Sequence, residues 1–214
     1  MIRLIVFDLW QTLAVKDVPM RSSAEIHRLV APGMGYEDFV KVFERTVQTR
    51  RWESKVAAYT ALCEAVGVAV TSELLQRVMD IRDRAEDAVR PFDFSIPLLR
   101  GLREARYLTG LLSNSTCFAI DRVREKTGLL DHVDRPVFSF DVGAIKPDPK
   151  MYEAVLGGMM PAEAVMVGDN PGDDVDPARA IGMHAIHFKG YDDLIKELEK
   201  LGVDLTHIPG RETA

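Results

Sequence analysis

The groups in this sequence that could do chemistry stand where short apolar runs end. The first is Asp8, which closes the run Leu4-Ile5-Val6-Phe7. An unbroken apolar run, unlike an alternating one, suits a parallel strand buried on both faces. The crevice beyond the carboxyl ends of such strands is where open α/β sheets bind ligands. A carboxylate is a weak nucleophile, yet held in line with an electrophilic phosphorus it can form an acyl-phosphate and divide a hard hydrolysis into two steps.

Three further stretches carry polar groups at corresponding places. Ser113 and Asn114 follow the apolar run 107–112, Lys146 lies in the loop before Asp148-Pro149, and Asp169, Asp173 and Asp174 follow the run 164–167. If the strands are parallel, these groups meet at one edge of the sheet. Carboxylates about 4 Å apart repel by roughly 4 kcal/mol per pair at an effective dielectric near 20, so a cation is expected among them. Oxygen donors without a nearby His or Cys favour Mg²⁺, which takes one or two carboxylates together with a substrate phosphate oxygen. Lys146 would offset the charge of nucleophile and phosphate. The Ser113 hydroxyl and neighbouring backbone N–H groups would hold phosphoryl oxygens.

The elements that must position these groups follow from periodicity. After Leu13 a helical period takes over, and nothing strand-like is expected until about Tyr107. Ser22 and Glu25 have capping-box spacing before Ile26, Leu29 and Val30. Tyr36, Phe39, Val40, Phe43 and Val47 predict a second helix. Val56, Tyr59, Cys63 and Val66 predict a third, ended by Gly67, and Leu74, Leu75, Val78, Met79 and Ile81 a fourth. From Arg90-Pro91 onward helical periods alternate with short apolar runs at 107–112, 136–140, 164–167 and 185–188, as repeated βα units do. Asp148 with Pro149 reads as an N-cap and first helical residue, and 174–181 as a short helix with Pro177 in its first turn. The expected fold class is α/β, a Rossmann-like parallel sheet over 1–15 and 91–214 with an all-helical cap inserted over 16–90. The tail 203–214 has no period and is expected to be loosely ordered.

Composition narrows the function. With 214 residues and 47% hydrophobic content the chain can bury a sizeable core. A net charge of -6 argues against nucleic-acid binding, which needs clustered Lys and Arg. No run approaches the roughly 20 apolar residues of a membrane span, and a cytoplasmic location is expected, with a small molecule as partner. Cys63 and Cys117 lack CxxC spacing and read as small buried hydrophobes.

Taken together, the four stretches resemble the motifs of the haloacid dehalogenase superfamily, most closely its phosphatase-like members with a helical cap after the first strand. They stand as Phe7-Asp8-Leu9-Trp10-Gln11-Thr12-Leu13, Leu111-Leu112-Ser113-Asn114, Gly143-Ala144-Ile145-Lys146-Pro147-Asp148-Pro149, and Val167-Gly168-Asp169-Asn170-Pro171-Gly172-Asp173-Asp174. Each alone is a weak signal; four in order, spread over nearly the whole chain, are specific. The resemblance implies Asp8 as nucleophile and metal ligand, with Asp169 and the Trp10 backbone carbonyl as further ligands. Asp174 follows as a ligand or outer-shell acid, and the order of Asp173 and Asp174 around the metal stays open. The implied catalytic set is Asp8, Lys146 and Ser113. Ser113, Asn114, Thr12, Lys146 and Trp10 are expected to line the substrate site, for a small phosphorylated metabolite.

One position departs from the pattern. Phosphatases of the family carry a second Asp two residues after the nucleophile, where it protonates the leaving group and later activates water; here that residue is Trp10. General acid–base catalysis contributes about 10²- to 10⁴-fold, so its loss slows turnover without removing attack or metal binding. Family dehalogenases have a Tyr at this position and need no metal, which makes a 2-haloacid dehalogenase the first alternative. The acidic fourth motif argues the other way, and phosphonate-cleaving relatives combine Mg²⁺ with the same missing Asp. A non-catalytic ligand-binding member is the second alternative. Outside the motifs, Arg45, Arg50, Arg51 and Trp52 are expected to form a solvated helix face, His184 and His187 to pack structurally, and Asp173 and Asp176 to serve as helix N-terminal charges.

Overall fold

The computed structural model describes residues 1–208. β1 (Leu4–Phe7) opens the chain, and β2 (Ala14–Lys16) leads into α1 (Ser22–Val30), α2 (Tyr36–Val47), α3 (Lys55–Ala65) and α4 (Ser72–Asp87). β3 (Val89–Pro91) returns the chain. There follow α5 (Ser95–Glu104), β4 (Leu108–Ser113), α6 (Cys117–Thr127), β5 (Arg135–Phe138) and the single turn α7 (Ser139–Val142). α8 (Pro149–Leu156), β6 (Ala164–Gly168), α9 (Asp176–Ala180), β7 (His184–His187) and α10 (Tyr191–Lys200) complete it.

Five strands form one sheet in the order β5-β4-β1-β6-β7, every neighbouring pair parallel. From β1 the chain builds outward through β4 and β5, then crosses back to place β6 on the other side of β1. In open α/β sheets such a reversal marks where ligands bind, beyond the carboxyl ends of the strands. β1 is unbroken in hydrophobicity because both its faces are covered. Ile5 and Phe7 join the side packed by Leu98, Leu102, Ile120 and Leu198, whereas Leu4 and Val6 join Met151, Tyr152 and Val155. Each such side chain contributes about 1.5–3 kcal/mol on burial, which fixes the strand's depth and hence the place of its last residue.

Helices α1–α4 pack around a core of their own, with Ile26, Phe39, Phe43, Val47, Tyr59, Leu62 and Val78 buried. Two strands enter and leave this insertion: Ala14 to Lys16 pair antiparallel with Pro91 to Val89. Sequence reading expected no strand there, because three residues are too few to show a period.

Three other local expectations give way. Ser22 does not cap α1; its hydroxyl accepts from Arg82 Nη1 at 3.1 Å, and Glu25 bonds Arg84 at 3.0 Å. The strand expected over 136–140 ends at Phe138, where the chain turns into α7. The tail is ordered as far as it is described, since Val203, Leu205 and Ile208 are buried in the main core and the Asp204 N–H donates to the Tyr107 hydroxyl at 2.8 Å. Gly101 makes room for it, as a Cβ there would lie 2.7 Å from the His207 carbonyl oxygen. Residues 209–214 of that expectation lie outside the described residues. Asp148 does cap α8, accepting from the Lys150 N–H at 3.0 Å, with Pro149 in the first turn. Both cysteines are buried and free, and no helix among the described residues is long and apolar enough to cross a membrane.

Candidate active site

Because the sheet is parallel, the ends of β1, β4 and β6 lie side by side, with Phe7 opposite both Leu111 and Val167. Asp8 follows directly and is pinned by its N–H, which donates to the Val167 carbonyl at 2.8 Å. Asp169 follows β6. Asp174 returns from the π-helical turn Pro171–Val175, whose geometry aims it back at the sheet. One carboxylate oxygen from each of Asp8, Asp169 and Asp174 lies within 4.8 Å of the other two. Gly168 permits this approach, since any Cβ there would run into the Asp174 carboxylate. The Asp174 Oδ2 also accepts from the Asn170 N–H at 3.1 Å.

Lys146 reaches into the same space. Its Nζ donates to Asp8 Oδ1 at 2.7 Å and to Asp174 Oδ1 at 2.5 Å. All three residues are at most 5% exposed. Charges this deep are tolerated only when paired and hydrogen-bonded. The loop carrying Lys146 is held by Asn114, whose Oδ1 accepts from the Lys146 N–H at 2.8 Å and whose Nδ2 donates to the Lys146 carbonyl at 3.3 Å. The Asn114 side chain, expected against substrate, is thus engaged in placing the lysine.

The electrostatics follow from burial. Desolvation drives the Asp8 carboxyl up to about 7; the Lys146 ammonium opposes this, and the Asp174 charge adds to it. Burial works against the Lys146 ammonium, but the two carboxylates outweigh it and hold its pKa above the ordinary lysine range. Asp169 is raised by burial and then by Asp174. Asp173 stands outside the trio, half-engaged by the Asn170 Nδ2 at 2.7 Å, with its carbonyl accepting from the Tyr152 hydroxyl. Of the two neighbouring acids, Asp174 is the one that faces Asp8.

Ser113 ends β4 fully buried, its Oγ 3.1 Å from the Ser115 Oγ, which in turn accepts from the Trp10 indole Nε1 at 2.7 Å. The indole is therefore fixed as a wall on the serine side. Thr12 is fully buried with no partner for its hydroxyl. His187 reaches the carbonyl of Asp169 at 3.2 Å, so its ring braces the loop that carries the acid. From α2, Glu44 is pushed up to about 7 by burial and then by Asp173, with Lys146 opposing, which brings the insertion into the electrostatic range of the site. Arg51, expected on a solvated face, ion-pairs with Asp141 of α7 at 2.8 Å and lies 4.6 Å from the Phe140 ring centre, while Arg50 stacks on Trp52.

Sequence reasoning missed Ser115, Asn170 and Tyr152. Ser115 could have been found, since a hydroxyl two residues past a strand end returns to the same side as the first; Tyr152 has no local signal.

Comparison with known proteins places the chain in a family. The family model described as haloacid dehalogenase-like hydrolase matches residues 2–182. The chain belongs to the haloacid dehalogenase-like hydrolases. A phosphoserine phosphatase of Thermus thermophilus is 41% identical over 90 residues, which is 40% of this chain but only 36% of that relative's length. Among solved structures, a phosphatase of the family from Thermococcus onnurineus superposes with a TM-score of 0.62 at 22% identity, covering 96% of this chain and all of the other. A family enzyme from Bacteroides thetaiotaomicron, in complex with magnesium and inorganic phosphate, superposes at 0.65 with 19% identity over 88% of this chain and 95% of that one.

Proposed function

We propose that the protein is a Mg²⁺-dependent phosphatase of a small phosphorylated metabolite, working through an aspartyl-phosphate on Asp8. The observation that carries this is the trio Asp8, Asp169 and Asp174 with Lys146 between two of its members. A metal-free dehalogenation has no use for three crowded acids. An all-oxygen donor set of this kind fits a hard divalent cation. Asp8, Asp169, Asp174 and the Trp10 backbone carbonyl would hold it, and when bound it supplies positive charge to the phosphoryl oxygens. The proposal takes the magnesium and phosphate of the Bacteroides structure and the activity of the Thermus relative as support.

In this reading a carboxylate oxygen of Asp8 attacks phosphorus, forming the acyl-phosphate as the bond to the leaving oxygen breaks. Lys146 favours the ionised form of Asp8 against burial and orients it, while Ser113 donates to a phosphoryl oxygen. Water then attacks phosphorus, releasing phosphate and regenerating Asp8. Helices α1–α4 act as a cap over the crevice. Trp10 has no proton to exchange with the departing oxygen, so good leaving groups are favoured. The test is a panel of phosphate monoesters with and without Mg²⁺: phosphate release that stops with EDTA, and is abolished by Asp8→Asn, is expected.

Trp10 itself favours a second reading, hydrolysis of a 2-haloacid by the same carboxylate. Halide release that is indifferent to EDTA would select it.

A further inference from the structure

Trp10, Ser115 and Ser113 are joined in a line of hydrogen bonds whose sense is set by the chemistry of its first member. The Trp10 indole Nε1 lies 2.7 Å from the Ser115 Oγ, and that oxygen lies 3.1 Å from the Ser113 Oγ. An indole N–H can only donate, so Ser115 accepts from Trp10 and must place its own proton elsewhere. Ser115 is 2% exposed, and among the described residues its hydroxyl has Ser113 as its one other partner. The Ser115 proton therefore goes to the Ser113 Oγ. The reverse sense would leave a buried O–H with no acceptor, which folded proteins avoid.

Ser113 then has a proton of its own to give. It is fully buried, and among the described residues its hydroxyl has no partner but Ser115. An O–H that accepts on one side is left as a donor on the other. Both ends of the line are fixed. The Ser115 N–H donates to the Ser139 Oγ at 3.0 Å, and the Ser139 hydroxyl, at the start of α7, donates back to the Ser115 carbonyl at 3.2 Å. At the other end the indole belongs to the loop that follows Asp8, and the Lys16 Nζ of β2 lies 4.2 Å from the centre of its ring.

We infer that Trp10 and Ser115 are positioning residues, which commit the Ser113 hydroxyl to donating and so aim it at a phosphoryl oxygen. This rests on the phosphatase reading, in which Ser113 meets the phosphoryl group, and it gives the residue standing in place of the missing acid a part in the same reaction. Hydrogen bonds in a chain polarise one another, so each donor in the line strengthens the next. A donor already committed in direction needs no reorientation as negative charge develops on the phosphoryl oxygens. The indole acts here through its N–H, at the phosphoryl end of the substrate, and not through any contact with the leaving group.

Inorganic phosphate is the direct probe, because it has no leaving group for the Trp10 ring to touch. In calorimetry with Mg²⁺, Ser115→Ala and Trp10→Phe, which cut the line at different points, should each weaken phosphate binding about 3- to 10-fold, the span of one ordinary hydrogen bond. Ser115→Thr keeps the hydroxyl and should stay near the wild-type affinity. In a Ser113→Ala background the same two cuts should change binding by less than about 2-fold, since no hydroxyl is left to aim. Losses that persist undiminished without Ser113, or a Ser115→Ala protein that binds as the wild type does, overturn the proposal. In turnover, Ser115→Ala should lower kcat/KM on phenyl phosphate and ethyl phosphate by the same factor, and a loss confined to one ester would count against a role at the phosphoryl end. A wild type that binds phosphate but hydrolyses no ester sinks the phosphatase reading and leaves the binding cycle to judge the line by itself. A wild type that binds no phosphate sinks both.

Discussion

Trp10 concentrates what is unusual at the residue scale. Its indole is fixed to Ser115 at 2.7 Å and stands beside Lys16, so it is an ordered wall and not a loose substitute. In the proposed phosphatase reaction the indole is no acid for the leaving group, so the departing alkoxide would leave unassisted. Trp10→Asp is therefore expected to raise kcat on alkyl phosphates, by up to about 10²-fold, with much less gain on aryl phosphates, whose oxygens leave well as anions. Steady-state kinetics on the two ester types measures this, and an equal gain on both would show that protonation is not the limiting event. Gly168 makes the second point at this scale. Gly168→Ala places a methyl group where the Asp174 carboxylate now sits, so the acid must withdraw from Asp8 and Lys146. Mg²⁺ affinity, read by calorimetry, should fall at least about 10-fold, the lower end of what displacing a ligand's support costs, while the protein stays folded.

At the scale of elements, each functional group is delivered by a strand end or by a loop held to one. The Lys146 loop shows how this works: it lacks regular structure of its own at the lysine, and Asn114 from the end of β4 grips its backbone on both sides. The C-terminal segment is another case. It runs across Gly101 of α5 and buries Val203, Leu205 and Ile208 in the main core. Ile208→Ala should cost about 2–4 kcal/mol, the usual penalty of emptying a buried aliphatic site. Denaturant melts check this, and an unchanged midpoint would show that the segment does not support the core.

For the whole molecule, the buried acids make stability depend on pH in an unusual direction. Asp8 binds its proton at about 7 in the folded protein against 3.8 ordinarily. Between those values the folded state holds the extra proton, so stability falls as pH rises through that window. Asp169 is raised in the same sense. If Asp8 and Asp169 hold Mg²⁺ as proposed, the metal competes with these protons and binds only the folded state, so its stabilisation should be larger at pH 8 than at pH 5. Thermal melts of wild type and Asp8→Asn at both values, with and without Mg²⁺, separate the terms. In the metal-free protein the variant should lose less stability between pH 5 and pH 8 than the wild type does, and parallel behaviour would remove Asp8 as the cause.

Much of this molecule is written in local sequence. The run from Leu4 to Phe7 marks a doubly covered strand because both its faces meet apolar side chains, and the sheet's parallel order follows from its βα alternation. Asp8, Ser113, Lys146 and Asp169 could be named as one site since strands of one direction bring their ends to one edge. What spacing could not carry was anything set by a partner distant in the chain. It did not show β2 and β3, which exist only as a pair 75 residues apart from Ala14 to Val89. It could not choose between Asp173 and Asp174, adjacent in sequence and equal in charge, until the π-helical turn aimed one of them at Asp8. It did not order the tail, whose three buried side chains have no period, or place Lys16 on Trp10 against cations from α3 and α4. Local pattern determines which elements form and which of their ends carry chemistry; the packing of elements far apart in sequence decides which atoms meet there, because only burial and contact across the fold distinguish chemically identical side chains.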